Sequence, residues 1–325
     1  MVTLKDIAKH ANVSACTVSR FLNSDIVVKK ETEAKIQLAI KELGYVPNVV
    51  AKALKRRETF NIAVILPKIN NQYYSEMTSG ISQTLGKHHY NLFIYEVDNL
   101  KLSEDEILQL MRENMIAGII FIGLFSDMSF KESIQDVVGW KIPVVYANRR
   151  IAYNGFPLVY PDMVQASKLA TEHLLAKGKN RIAFVHKHLP NDLLAYFEEG
   201  YRQASNNEQG PIILKVDNGM DLSQDCIPML LERNIDGVFV LNEMLAAHLT
   251  KALVKADVQI ADDIAVVSLG NSIISQISSP ELTCIDLQDR ELGIQSAEII
   301  LSQIRKQAYE PVTVLEPIIV ERNSA

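Results

Sequence analysis

The chain has 325 residues, of which 48% are hydrophobic and 22% charged, an ordinary globular composition with room for two or three domains. The most apolar run, Met115 to Phe125, falls far short of the roughly 20 residues that span a bilayer, and Lys5, Asp6 and Lys9 stand where a secretory leader needs an apolar stretch, so a cytoplasmic protein with no membrane partner is expected. The net charge of −6 is uneven: residues 1–58 carry 11 basic and 6 acidic side chains, a surplus of +5 that leaves −11 on the remainder, which suits a polyanionic partner for the head alone.

In the head, Thr3 followed three residues on by Asp6 forms a reciprocal N-terminal cap, and Leu4, Ile7, Ala8 and Ala11 recur at i, i+3, i+4 and i+7, which predicts a short helix. Asn12 and Val13 leave space for a tight turn before Ser14, whose hydroxyl caps a second helix burying Val18, Phe21 and Leu22. A third apolar pattern, Ile36, Ala39, Ile40 and Leu43, stops at Gly44. Three short helices, the first two joined by a tight turn, describe a helix-turn-helix. In that geometry the start of the second helix enters the major groove of double-stranded DNA, where Arg20 suits guanine O6 and N7 and Ser14, Thr17, Ser19 and Asn23 suit phosphates or base edges. Ala15 and Cys16 are small enough to lie against a thymine methyl. The alternative is a structural three-helix bundle.

"TLKDIAKHANVSACTVSRFLN" followed by "ELGYVPNVVAKAL" resembles the head and hinge of the lactose repressor and galactose repressor family of bacterial transcription factors, and the similarity runs through most of the chain. The resemblance implies that Ala15, Cys16 and Arg20 read bases, that Ser14, Thr17, Ser19 and Asn23 support phosphate contacts, and that Thr3 and Leu4 join the DNA-contacting set. It also implies a hinge helix, with Asn48 and Ala51 at the DNA and Leu54 wedged between central base pairs. From the residues alone, Pro47 interrupts the helical pattern, Asn48 caps Val49 to Leu54, and so short a helix orders only against a partner. Two positions depart from the family: Lys29 replaces the Ser that usually starts the third helix, and Glu33 replaces an Arg.

Beyond Asn61, strand-like runs alternate with helical stretches: "NIAVILP", "NLFIYEV", "GIIFIGL" and "PVVYAN", then "RIAFVHK", "PIILKVD", "GVFVLN" and "IAVVSLG". The alternation predicts parallel sheets covered by helices, in two sets of four strands broken near "NGFPLVYPD", with "LTCIDLQ" and "TVLEPIIVER" crossing back. The expected fold class is therefore α/β: a three-helix head at 1–46, a hinge and linker at 47–60, and a two-subdomain body at 61–325, like the periplasmic sugar-binding proteins that the family's body resembles. The first subdomain is expected at 61–158 plus 290–315, and the second at 159–289 plus the C-terminal end.

Open α/β sheets bind ligands at the carboxyl ends of their strands, which selects Asn71, Tyr73, Tyr74, Asn148, Arg149, Asp162, Asn242 and Glu243. Tyr73 and Tyr74 match aromatic residues that stack on the family's effector. The family commonly has an Arg where this chain has Phe197, an Asp at Gly270 and a second Asp at Glu243. With the sugar grip partly missing, the expected effector is not a neutral sugar but a flatter, less hydroxylated molecule stacking on Tyr73, Tyr74 or Phe197, with Arg149 receiving an acidic group; the alternative is that water, Asn271 or Asn148 replaces the missing contacts and a neutral sugar still binds.

The chain has no HExxH, GxSxG or GxGxxG, so no enzyme is expected. Cys16, Cys226 and Cys284 are odd in number and lack CxxC spacing, and "HKH" at 186–188 reads as a loop near the cleft, so no disulfide framework, metal or cofactor is expected. The closing "IIVERNSA" shows no a/d heptad tail, which points to a homodimer. The reading is a DNA-binding transcriptional regulator, a dimeric repressor of a pseudo-palindromic operator under control of a small-molecule effector. Regulation by a protein partner, and a solute-binding or signalling protein with a vestigial head, are the alternatives.

Overall fold

The structure is a computed structural model, and it describes residues 2–22, 28–45, 59–97, 106, 109–110, 113–123, 142–148, 150, 155–187, 189, 191–205, 211–216 and 222–325. Two compact units divide the chain, residues 1–59 and 60–325.

The head contains α1 (Leu4–His10), α2 (Ala15–Leu22) and α3 (Lys30–Glu42). Its caps are the ones the sequence encodes. The Asp6 backbone N–H donates to Thr3 Oγ1 at 3.4 Å while the Thr3 N–H donates to Asp6 Oδ2 at 2.8 Å, which closes the capping box. Asn12 adopts φ +54° in the turn, and the Thr17 N–H donates to Ser14 Oγ at 3.0 Å. The departure at Lys29 has its expected effect, since no side chain caps the start of α3. Gly44, at φ +59°, ends that helix in the left-handed conformation for which glycine carries no steric cost. Ile7, Val18, Ile36 and Ala39 are fully buried and form the small core.

The body has β1 (Asn61–Leu66), α4 (Gln72–Lys87), β2 (Asn91–Glu96), β3 (Ile116–Ile122), β4 (Val144–Ala147), β5 (Leu158–Pro161), α5 (Met163–Ala176), β6 (Ile182–His186), α6 (Asn191–Ser205), β7 (Ile212–Lys215), α7 (Ile227–Glu232), β8 (Gly237–Val240), α8 (Glu243–Lys255), β9 (Ala265–Leu269), α9 (Ile273–Ile277), β10 (Thr283–Asp286), α10 (Asp289–Ile304), β11 (Val312–Leu315) and β12 (Ile318–Val320). The first sheet has the order β11-β5-β4-β3-β1-β2 and is parallel throughout. The second has the order β12-β10-β9-β8-β6-β7, parallel except for antiparallel β12 on β10. All eight strands read from the sequence are present, and each sheet gains two more. "NGFPLVYPD", read as a break, contains β5, and "TVLEPIIVER" divides between the sheets as β11 and β12.

Three crossovers follow. The chain passes from the first sheet to the second after β5, returns after β10 through α10, and crosses again between β11 and β12. The covering helices pack on one another closely enough for backbone to meet backbone. A Cβ built on Gly293 of α10 would lie 2.0 Å from the Met77 carbonyl oxygen of α4, and one on Gly80 of α4 would lie 2.2 Å from the Arg290 carbonyl oxygen. Gly200 of α6 meets the Val164 carbonyl oxygen of α5 at the same 2.2 Å.

A methyl group cannot fit against a carbonyl fixed in its own helix. Gly293→Ala is therefore expected to destabilise the body by about 1–3 kcal/mol or more by pushing α10 from α4, read as a fall in its urea midpoint. Gly86→Ala on α4 serves as the control, because nothing lies within 4 Å of its Cβ position.

Candidate functional site

On the head, α2 presents Ser14, Cys16 and Arg20 to solvent, with Thr17 and Ser19 half-buried beside them. Ser14 bonds to Thr17 through both its hydroxyl contacts, at 3.0 Å to the backbone N–H and 2.7 Å between the hydroxyls, which fixes the start of the helix. Among the described residues no hydrogen bond or ion pair engages the Arg20 guanidinium, so its donors are open to a partner. Thr3 is exposed at the head of α1, whereas Leu4 and Ala15 pack partly against the core. Asn23, Asn48, Ala51 and Leu54 lie outside the described residues.

In the body, a cavity of about 470 Å³ opens at the carboxyl ends of the strands. Asn70 to Tyr74 reach it after β1, Asn148 after β4, Lys187 and Leu189 after β6, Asn242 to Met244 after β8, Gly270 after β9, and Leu287 and Asp289 after β10. Both sheets thus contribute, as the topology of open α/β sheets requires. Asn71 caps α4 by accepting from the Tyr73 N–H at 3.1 Å, and Asn242 caps α8 by accepting from the Leu245 N–H at 2.9 Å. These caps set the two helix starts that face the ligand space.

The Tyr73 hydroxyl donates to Asn148 Oδ1 at 2.5 Å. Burial, with the Asp289 carboxylate nearby, holds that phenol well above its ordinary pKa, so it remains a donor. Asn148 is 3% exposed and held at φ +109°. The Tyr74 ring lies edge-on to Tyr73 with centroids 5.4 Å apart, and burial raises its hydroxyl to about 12.

Glu243 is buried at the first position of α8, where its charge meets the positive end of the helix. Its Oε2 accepts from the Ser272 N–H at 2.9 Å and from the Ser275 hydroxyl at 3.1 Å. A Cβ on Gly270 would lie only 3.4 Å from Glu243 Cδ. Gly270 offers no side-chain partner, as the sequence implies, and the longer Glu243 side chain occupies the space beside it. Asp289, which the sequence reading missed, lines the same cavity, and its buried Oδ1 has no hydrogen-bond partner. Burial, then the carboxylates of Asp286, Glu243 and Glu76, push its pKa well above the usual carboxylate range.

Three expected residues stand elsewhere. Phe197 is fully buried in the core against Phe239, with ring centroids 6.1 Å apart, so it offers no stacking face to a ligand. Asp162 caps α5 by accepting from the Gln165 N–H at 3.0 Å and lines a different, smaller cavity with Tyr160 and Tyr196. Asn271 lies outside the main cavity, donating to Asp286 at 2.9 Å and accepting from Arg322 at 2.6 Å. Arg149, and His188 of "HKH", lie outside the described residues; His186 is buried. Among the described residues, no three His, Cys, Asp or Glu side chains gather as metal ligands, and no helix is long and apolar enough to cross a membrane.

Residues 3–48 match the family of bacterial regulatory proteins of the lacI type, and residues 59–321 match the periplasmic binding proteins and sugar binding domain of the LacI family. The chain belongs to the LacI family. It is 31% identical to the ribose operon repressor of Halalkalibacterium halodurans across 95% of this chain and 92% of that protein. Catabolite control protein A of Staphylococcus xylosus is 28% identical across 98% of each. The fold is that of the lac repressor dimer bound to operator and an anti-inducer, with a TM-score of 0.83 at 22% identity over 99% of this chain and 98% of that one. Like these LacI-family relatives, the protein is a DNA-binding transcriptional regulator.

The Asp289 environment has a sign that stability measurements read. A carboxyl whose folded-state pKa is raised costs stability once ionised, and that cost disappears as pH falls through the raised value toward the unfolded one. Asp289→Asn is therefore expected to raise the melting temperature near neutral pH and to flatten the gain in stability that the native chain shows as pH falls from the raised folded-state value to the ordinary carboxylate range. Unchanged melting curves across that range would place the Asp289 carboxyl in ordinary solvation.

Proposed function

We propose that the protein is a homodimeric repressor that reads a pseudo-palindromic operator and is switched by a small ligand in the body cavity. The observation that carries this reading is the union, in one chain, of a capped α2 that presents an unengaged Arg20 and a cavity where polar groups from two sheets converge. Two-fold symmetry pairs the heads on neighbouring major grooves. Asn148, Asn242 and Glu243 supply the polar contacts of the ligand, and Tyr73 and Tyr74 its aromatic wall. A cytoplasmic location fits an operator-binding protein.

The ligand is not a plain neutral sugar. Phe197 stands in the core where the family commonly has an Arg, and Leu189, Leu193, Leu241, Leu269 and Leu287 give the cavity an apolar wall that offers hydroxyls no partner.

Gel shifts against selected operator and random DNA test the head. Arg20→Ala is expected to cost specific binding about 1–3 kcal/mol and to relax preference at one base per half-site. Equal losses on operator and random DNA would demote Arg20 to a phosphate contact. Affinity should fall steeply with salt, because each neutralised phosphate releases counterions.

A further inference from the structure

The cavity contains an unmet electrostatic demand. Asp289 Oδ1 is buried and has no hydrogen-bond partner, although the residue lies in the cavity wall. Glu243 lines the same cavity with a buried carboxylate, whose two hydrogen bonds both fall on Oε2. Asp286 and Glu76 add negative charge behind Asp289. Among the described residues, no Lys or Arg forms an ion pair with Asp289 or Glu243. Lys187, the only described Lys or Arg lining the cavity, is exposed, and Arg290 is turned to Ser79 and Gln83, at 3.3 and 3.1 Å, and to Glu76 at 3.9 Å. A buried carboxylate without a donor is costly, and the cost falls when a positive donor arrives.

We infer that the ligand of this cavity carries a protonated amine, received by Asp289 and Glu243, on a body that packs against the leucine wall and Tyr73. The inference rests on the reading of the cavity as the effector site. An ammonium offers three donors and no acceptor, which matches the free Glu243 Oε1 and the Asp289 carboxyl once it has given up its proton, and it supplies the positive charge that holds both groups ionised. A hydroxyl offers one donor and leaves the charge uncompensated. A carboxylate ligand would add to the repulsion. Tyr73 donates to Asn148 and cannot also neutralise Asp289. The raised pKa of Asp289 gives a second readout: an arriving cation draws a proton off this carboxyl, so amine binding releases protons.

The test is calorimetry on the full-length protein with matched pairs: 2-phenylethylamine and 2-phenylethanol, putrescine and 1,4-butanediol, glucosamine and glucose, with phenylacetate and ribose alongside. At least one amine is expected to bind at least about 10-fold more tightly than its alcohol and to release protons, read from buffers of different ionisation heat. Asp289→Asn should abolish the proton release and reduce the preference to less than about 3-fold, and Glu243→Gln should reduce it independently. Binding of an alcohol, glucose, ribose or phenylacetate as tight as that of every amine would overturn the inference and leave the cavity as the effector site. Absence of amine binding at about 1 mM would overturn it as well. An amine that binds with the expected preference but leaves operator affinity unchanged would uphold the inference and count against the cavity as the switch.

Discussion

The body depends on the hydrogen bonds that tie its three crossovers to one another. The Asp162 N–H, at the exit of β5, donates to the Leu315 carbonyl of β11 at 3.0 Å. Gln288, between β10 and α10, donates from its side chain to the Glu316 carbonyl at 2.6 Å, and its own N–H donates to Asp286 Oδ1 at 2.7 Å. Gln288 adopts φ +58°, a conformation that a non-glycine residue holds only where its surroundings enforce it. Three separate passages of chain are thus hydrogen-bonded to one another, and the body cavity opens on residues adjoining one of them, Leu287 and Asp289. A ligand that touches both sheets acts across this joint. Its effect is set by how differently it binds the available arrangements of the two sheets, not by its affinity alone.

Much of this was legible in the sequence because the relevant physics is local. The capping box at Thr3 and Asp6, the cap at Ser14 and the glycine stop at Gly44 each involve residues within four positions of one another, so spacing was enough. The central strands were legible because parallel strands buried on both faces read as continuous apolar runs, as in Ile62 to Leu66 and Ile119 to Ile122, and the edge strands β2 and β7 because they too are short apolar runs between helical stretches. β5 and β11 were harder. They are short, contain or adjoin proline, and owe their pairing to each other across a long stretch of chain.

The cavity was legible in part for a related reason. Strand ends located Tyr73, Asn148, Asn242 and Glu243, whereas family position misplaced Phe197. Leu193, Phe197 and Tyr201 recur at intervals of four on α6, and all three are nearly inaccessible, so helical spacing already marked Phe197 as core. Asp289 follows a strand that the sequence reading treated as a crossover, and an aspartate at a helix start ordinarily caps or meets the dipole. Only the fold shows that its carboxyl is buried within reach of the charges of Asp286, Glu243 and Glu76. Nor could one position reveal the exchange at Gly270, where the missing side chain leaves room that a residue 27 positions earlier occupies.

Polarity is distributed unevenly around the ligand space. On the first-sheet side, Asn148 gives its oxygen to Tyr73, which leaves its amide N–H donors for a ligand acceptor. Glu243, after a strand of the second sheet, and Asp289, at the start of the helix that returns from it, present acceptors. A ligand with an acceptor at one end and a cationic donor at the other would satisfy both sides at once, and would do so only when the sheets stand at the separation that fits it. Removing either end would leave one side unpaired and would cost the differential affinity on which switching depends. With an effector in this cavity, as proposed, the same contacts would select both ligand chemistry and sheet spacing.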